Sequence, residues 1–127
     1  MGNGTSIGRV RGLGPAHSGA HVWLMERLSG LASLVTSTYL MVSLLMLPSL
    51  SYMAVHDWIA HPLAATAAVL FVIVNFWHGK MGLQVVIEDY VHVPATKLFT
   101  LVAINFLAFA GAGFGVICIL RIAFGAA

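Results

Sequence analysis

Three long stretches of this chain are nearly free of charge, and the polar residues gather between them. Leu28 to Leu47 is an uncharged run of 20 residues, bounded by Arg27 and Pro48. Leu63 to Ile87 is a run of 25 in which His78 and Lys80 are the only ionisable side chains. Leu98 to Leu120 is an uncharged run of 23, closed by Arg121. Crossing the hydrocarbon core of a bilayer takes about 20 apolar residues in a helix. The pattern therefore predicts an all-α membrane protein with three transmembrane helices, at about 26–48, 62–88 and 96–121. Together they form a membrane domain over residues 20–127, behind a flexible segment 1–19 rich in Gly with Ser and Pro. The connectors are short. Pro48 to Pro62 has room for a small interfacial turn, and Glu88 to Lys97 contains Pro94, which ends the second helix.

Composition agrees and narrows the function. The chain has 127 residues, 60% hydrophobic and only 8% charged, with mean hydropathy +0.96. Soluble domains carry about 25% charged residues. The net charge of +2 comes from six basic and four acidic side chains, so the basic pI reflects scarce charge and not a basic surface. Nucleic-acid binding has no support. The single cysteine, Cys118, lies in an apolar run, reads as a small packed hydrophobe, and excludes an intrachain disulfide. After three spans little chain is left for a hydrophilic domain, so catalysis on a soluble substrate requires partners.

Charge also orients the spans. Arg9, Arg11 and Arg27 precede the first helix, Lys80 and Lys97 flank the second loop, and the Pro48–Pro62 loop has neither Lys nor Arg. The positive-inside rule then puts the N-terminus and second loop in the cytoplasm, or in the matrix of a mitochondrion. Arg121 at the far end is a contrary vote, outweighed by the three basic residues before the first helix. The first apolar run is too long for a signal-peptide core and no A-x-A site follows, so it is retained. Without an evident transit peptide, a bacterial inner membrane is preferred to a mitochondrial one. Met1-Gly2-Asn3-Gly4-Thr5-Ser6 loosely fits a myristoylation signal, but a lipid adds little to three spans. Gly12-Leu13-Gly14 lacks the context of a nucleotide fingerprint.

The candidate chemistry sits in the second span. His78 lies nine residues before Ile87, about 14 Å into the membrane. At about 100° per residue, Phe71, His78, Gly82, Val85 and Asp89 share one face. Lys80 points elsewhere, free to snorkel toward the cytoplasmic interface. An ionisable residue at this depth is costly and usually functional. Gly79 and Gly82 leave clearance beside the ring for a flat macrocycle, and a neutral imidazole nitrogen is a standard axial haem ligand. The competing reading is a histidine hydrogen-bonded to a neighbouring helix. His17, His21, His56, His61 and His92 fall in flanks or loops, so a bis-histidine haem needs its second ligand from another subunit.

Tyr90 closes the same helix at the boundary. Its ordinary role is an aromatic-belt anchor; its functional one is donating a hydrogen bond to a quinone carbonyl, with Asp89 in support or relaying protons. The two sites lie three helical turns apart, as a path between a buried cofactor and an interfacial site requires. Glu88 and Asp89 oppose the dipole at a helix C-terminus, so at least one has a further role. The first helix starts at this boundary, which brings Arg27, with His21 and Trp23, to the depth of Tyr90. Arg27 is either a topology anchor or a partner for a haem propionate. In the third span Gly111 and Gly115 permit close packing, and Asn105 is expected to bond a neighbouring helix.

His78, Gly82, Asp89 and Tyr90, with twelve positions from histidine to tyrosine, together resemble the motif of the D-type hydrophobic membrane anchor of succinate dehydrogenase (complex II). Gln84-Val85-Val86 and Asp89-Tyr90-Val91-His92 look like its alphaproteobacterial and mitochondrial branch, and His21 and Arg27 keep a six-residue step seen ahead of the first helix. The specific motif occupies residues 78–92; the three-span plan covers most of the chain. The Ser-x-x-x-Arg and His-x-x-x-Asp stretches of the C-type anchor are not seen. The resemblance implies a helical bundle built with a C-type anchor around a shared haem b, with His78 as axial ligand of the iron and Arg27 and His21 facing the propionates. It implies ubiquinone at Tyr90, supported by Asp89. It also implies a flavoprotein that oxidises succinate and an iron–sulfur subunit that passes electrons to the quinone. Two other classes remain: a small oligomeric transporter using His78 and Lys80, and a haem-less structural anchor for another peripheral enzyme. Transport is disfavoured because both carboxylates of the second loop sit at the membrane edge.

Overall fold

The computed structural model describes residues 19–125 and is helical throughout its regular structure. Helix α1 spans Gly19–Leu45, α2 Tyr52–Ala60, α3 Pro62–Tyr90 and α4 Pro94–Ala123. The three long helices have 27, 29 and 30 residues and apolar stretches suited to a membrane. At about 1.5 Å per residue they run about 40–45 Å, enough to cross the hydrocarbon and reach both headgroup layers. The segment expected to be flexible, 1–19, lies outside the described residues except for Gly19.

Two of the three prolines in the connectors begin helices. Pro62 and Pro94 occupy the first turns of α3 and α4, where a missing N–H leaves no bond unmade. Pro94 therefore starts α4 rather than stopping α3, which ends at Tyr90 with Val91 N–H donating to Ile87 C=O at 2.9 Å. The other connector holds more than a turn. Ser51 accepts from Ala54 N–H at 3.4 Å and caps the nine-residue helix α2, which packs against α3 and α4.

Helix α3 is the centre of the arrangement: α1 and α4 each pack along it and make no comparable contact with each other. On the α4 side, close approach depends on two glycines. A Cβ at Gly115 would stand 2.8 Å from Val72, and one at Gly111 would run into the Phe76 ring. Trp77 meets Phe109 edge-on nearby, with centroids 6.5 Å apart. The interior is minimal. Among the described residues only Ala64, Ala68 and Ile87 are buried, while Trp23, Leu31, Leu34, Phe106 and Phe114 stand open. A soluble chain hides such side chains; here lipid or other protein must cover them.

Candidate functional site

The α1–α3 seam is the polar one. Ser29 Oγ lies 3.0 Å from His78 Nδ1. One turn further into the membrane, Ser33 Oγ donates to Asn75 Oδ1 at 2.9 Å, and Asn75 Nδ2 donates to Phe71 C=O at 2.8 Å. Hydrogen bonds between membrane helices average about 0.6 kcal/mol, so these fix register more than they add stability. Asn105, expected to bond across helices, instead donates to Leu101 C=O of its own helix at 2.8 Å. Asn75 fills the interhelical role.

His78 meets α1 edge-on. A Cβ at Gly30 would lie 3.2 Å from Cε1 and 3.8 Å from each ring nitrogen, so the imidazole sits in the notch that Gly30 leaves. Ser29 holds Nδ1, and Nε2 points nearly the opposite way. His78 is half-buried, and among the described residues no sealed side-chain nitrogen or oxygen lacks a partner, so Nε2 remains reachable from outside. Cβ positions at Gly79 and Gly82 would meet nothing within 4 Å. An imidazole pinned at one nitrogen, open at the other and flanked by empty space fits a metal centre carried by a flat macrocycle. No three His, Cys, Asp or Glu side chains among the described residues gather as a metal site.

The pairs Ser29–His78 and Ser33–Asn75 set an antiparallel register. Arg27 is thereby level with Lys80 and Met81, and His21 with Val86 and Ile87. This corrects the expectation that Arg27 shares the depth of Tyr90. Helix α1 begins at Gly19, well before the apolar run, which puts Arg27 about 14 Å deeper than Tyr90 and within a turn of His78. Arg27 is exposed, roughly 110° around α1 from the face that meets α3, and its guanidinium lies 5.0 Å from the Trp23 ring. His21 is exposed nearer the Tyr90 end. Lys80 does not reach toward the interface; its ammonium turns back over Trp77, 4.5 Å from the ring centre. Side chains on a helix lean toward its N-terminus, and the indole face one turn earlier receives the charge.

At the end of α3, Tyr90 is 80% exposed, and Asp89 beside it is exposed too. His92 Nδ1 donates to the Tyr90 carbonyl at 3.0 Å, which ties the turn back and leaves the phenol outward. Lys97 Nζ donates to Glu88 C=O at 2.7 Å, and Gln84 Nε2 to Glu88 Oε1 at 2.8 Å. The ammonium supplies the positive charge that the helix end favours and offsets the adjacent carboxylates. His78 and Tyr90 stand twelve residues apart, about 18 Å along the axis. Cys118, expected to be packed, is exposed on α4.

Ser29, Gly30, Ser33 and Asn75 had no distinguishing signal in the sequence. The one available hint was a polar residue spaced one turn before His78 and matched by small polar residues one turn apart in the first span.

Three apolar spans with a polar seam and an interfacial tyrosine define a multi-pass integral membrane protein. Residues 1–112 match the family described as "Succinate dehydrogenase/Fumarate reductase transmembrane subunit", and the chain belongs to that family. It is similar to the succinate dehydrogenase hydrophobic membrane anchor subunit of Rickettsia bellii (strain RML369-C), at 28% identity over 77% of this chain and 85% of that one. The subunit of the same name from Rickettsia conorii (strain ATCC VR-613 / Malish 7) is 29% identical over 67% of this chain and 68% of its own. No solved structure matches.

Proposed function

We propose that this chain is the D-type anchor of a succinate:quinone oxidoreductase, helping to hold haem b and ubiquinone so that electrons from succinate reach the quinone pool. The observation that carries the reading is the His78 imidazole, pinned at Nδ1 by Ser29 with Nε2 unpaired among the described residues, on the helix that ends in Asp89-Tyr90. His78 Nε2 would hold the haem iron. Arg27, level with the next turn of α3, reaches toward a propionate; His21, nearer the membrane edge, does so in second place. Haem supplies one-electron redox chemistry when bound. The Tyr90 hydroxyl donates to a quinone carbonyl, and Asp89 keeps an exchangeable proton site beside water. Apolar faces left uncovered on α1 and α4 would pack against a C-type cytochrome b anchor, which would supply a second histidine to the haem. The flavoprotein and iron–sulfur subunits dock on the end that bears Tyr90, with the N-terminus on the cytoplasmic side of a bacterial inner membrane.

The test is a reduced-minus-oxidised visible spectrum of the complex purified through this chain, with its partners identified by mass. The expected result is a b-type haem signal with a flavoprotein, an iron–sulfur protein and a second small anchor. His78→Ala removes or strongly perturbs that signal. An unchanged haem spectrum in His78→Ala sinks the ligand assignment, and recovery without any partner sinks the anchor reading.

A further inference from the structure

The proton count at Ser29 determines which nitrogen of His78 is free. Ser29 Oγ lies 3.0 Å from the Glu26 carbonyl and 3.0 Å from His78 Nδ1. A carbonyl only accepts, and a serine hydroxyl has one proton. With both contacts made as hydrogen bonds at once, that proton goes to Glu26 C=O, which leaves Oγ as an acceptor toward the ring. Nδ1 must then carry the hydrogen, and in a neutral imidazole this makes Nε2 the lone-pair nitrogen. The contact is half-buried between α1 and α3, where water competes poorly. Gly30 completes the device: its missing side chain lets Cε1 come to the backbone of α1, which fixes the ring's rotation as Ser29 fixes its protonation.

We propose that Ser29 is a positioning residue for His78, holding the imidazole as the Nδ1–H tautomer with Nε2 presented as a donor to iron. The inference rests on the axial-ligand reading of His78 and goes a step past it. Hydrogen bonding at the distal nitrogen makes the ligating nitrogen a stronger donor and favours the oxidised metal. Glu26 matters only through its main chain, so its carboxylate plays no part in the arrangement. Losing the Ser29 oxygen releases the tautomer and weakens the donor.

The experiment uses the whole purified complex with Ser29→Ala, Ser29→Thr, Ser29→Cys and His78→Ala in this chain. Its readouts are haem retained per complex, the low-spin ferric resonance positions and the haem midpoint potential. Ser29→Ala shifts the potential upward, moves the resonances and weakens haem retention by about tenfold, the lower end for loss of an outer-shell partner. Ser29→Thr keeps the hydroxyl and restores wild-type values, which a merely structural role at this position does not predict. Ser29→Cys, close in volume but a weaker acceptor, shifts the potential in the same direction by less. It decides the matter if Ser29→Ala does not assemble. Wild-type potential and resonances in Ser29→Ala or Ser29→Cys, beside a His78→Ala complex that has lost its haem, overturn the role of Ser29 alone. A haem signal indifferent to His78→Ala, or a wild-type complex without haem, overturns the ligand reading and this inference together.

Discussion

Replacing Gly30 with alanine separates stability from site geometry. The added Cβ would stand 3.2 Å from His78 Cε1, whereas carbon atoms pack best at about 3.5–4.0 Å. The ring must recede by about 0.3–0.8 Å to reach that distance. Its hydrogen bond to Ser29 starts at 3.0 Å, so the same movement takes it toward the limit of useful geometry. Overpacking by one methyl costs about 1 kcal/mol. Exchanging Gly for Ala inside a helix returns about 1 kcal/mol. The two nearly cancel, so the thermal midpoint of the purified complex should stay within about 2–4 °C of wild type. The ferric haem resonances should move all the same, because the imidazole has been displaced. Gly113→Ala is the control: its Cβ would meet nothing within 4 Å, and it should gain the propensity term with an unaltered haem. The reasoning fails if Gly30→Ala assembles normally and its resonances match those of wild type.

Two further outcomes are expected. Tyr90→Phe removes an exposed phenol at the end of α3 and should lower quinone reduction by about tenfold or more, the scale of a lost hydrogen bond in a reacting pair, while dye reduction by the peripheral subunits persists; equal loss of both activities contradicts a quinone role. Gly111→Leu forces Phe76 out of its place between α3 and α4 and should cost about 1–3 kcal/mol, read as a lowered thermal midpoint with the haem signal per intact complex unchanged.

The three spans were legible because an uncharged run of membrane length has few alternatives to a helix. Helix α2 was less so. Its nine residues, Tyr52–Ala60, mix apolar and polar groups with His56 and Asp57, and only the Ser51 cap and packing on α3 and α4 decide for a helix over a turn. At the site, sequence singled out His78 by its cost in the membrane but had no means to see Ser29. Small hydroxyl residues in helices usually bond their own carbonyls, as Thr36, Ser37 and Ser43 do here. Which one crosses to a neighbour depends on register, a tertiary property. Arg27 was misjudged for the same reason. The first helix extends upstream to Gly19, so the onset of the apolar run did not mark the helix start, and a residue read as level with Tyr90 lies within a turn of the histidine along the axis.

The near absence of an interior also bears on the life of this polypeptide in the cell. With three buried residues among those described, the helices hold one another weakly, and lipid must keep their side chains covered until another protein surface does. Overproduced without the catalytic subunits that a membrane anchor of this family joins, the chain is expected to turn over faster than in their presence, which a pulse–chase reads.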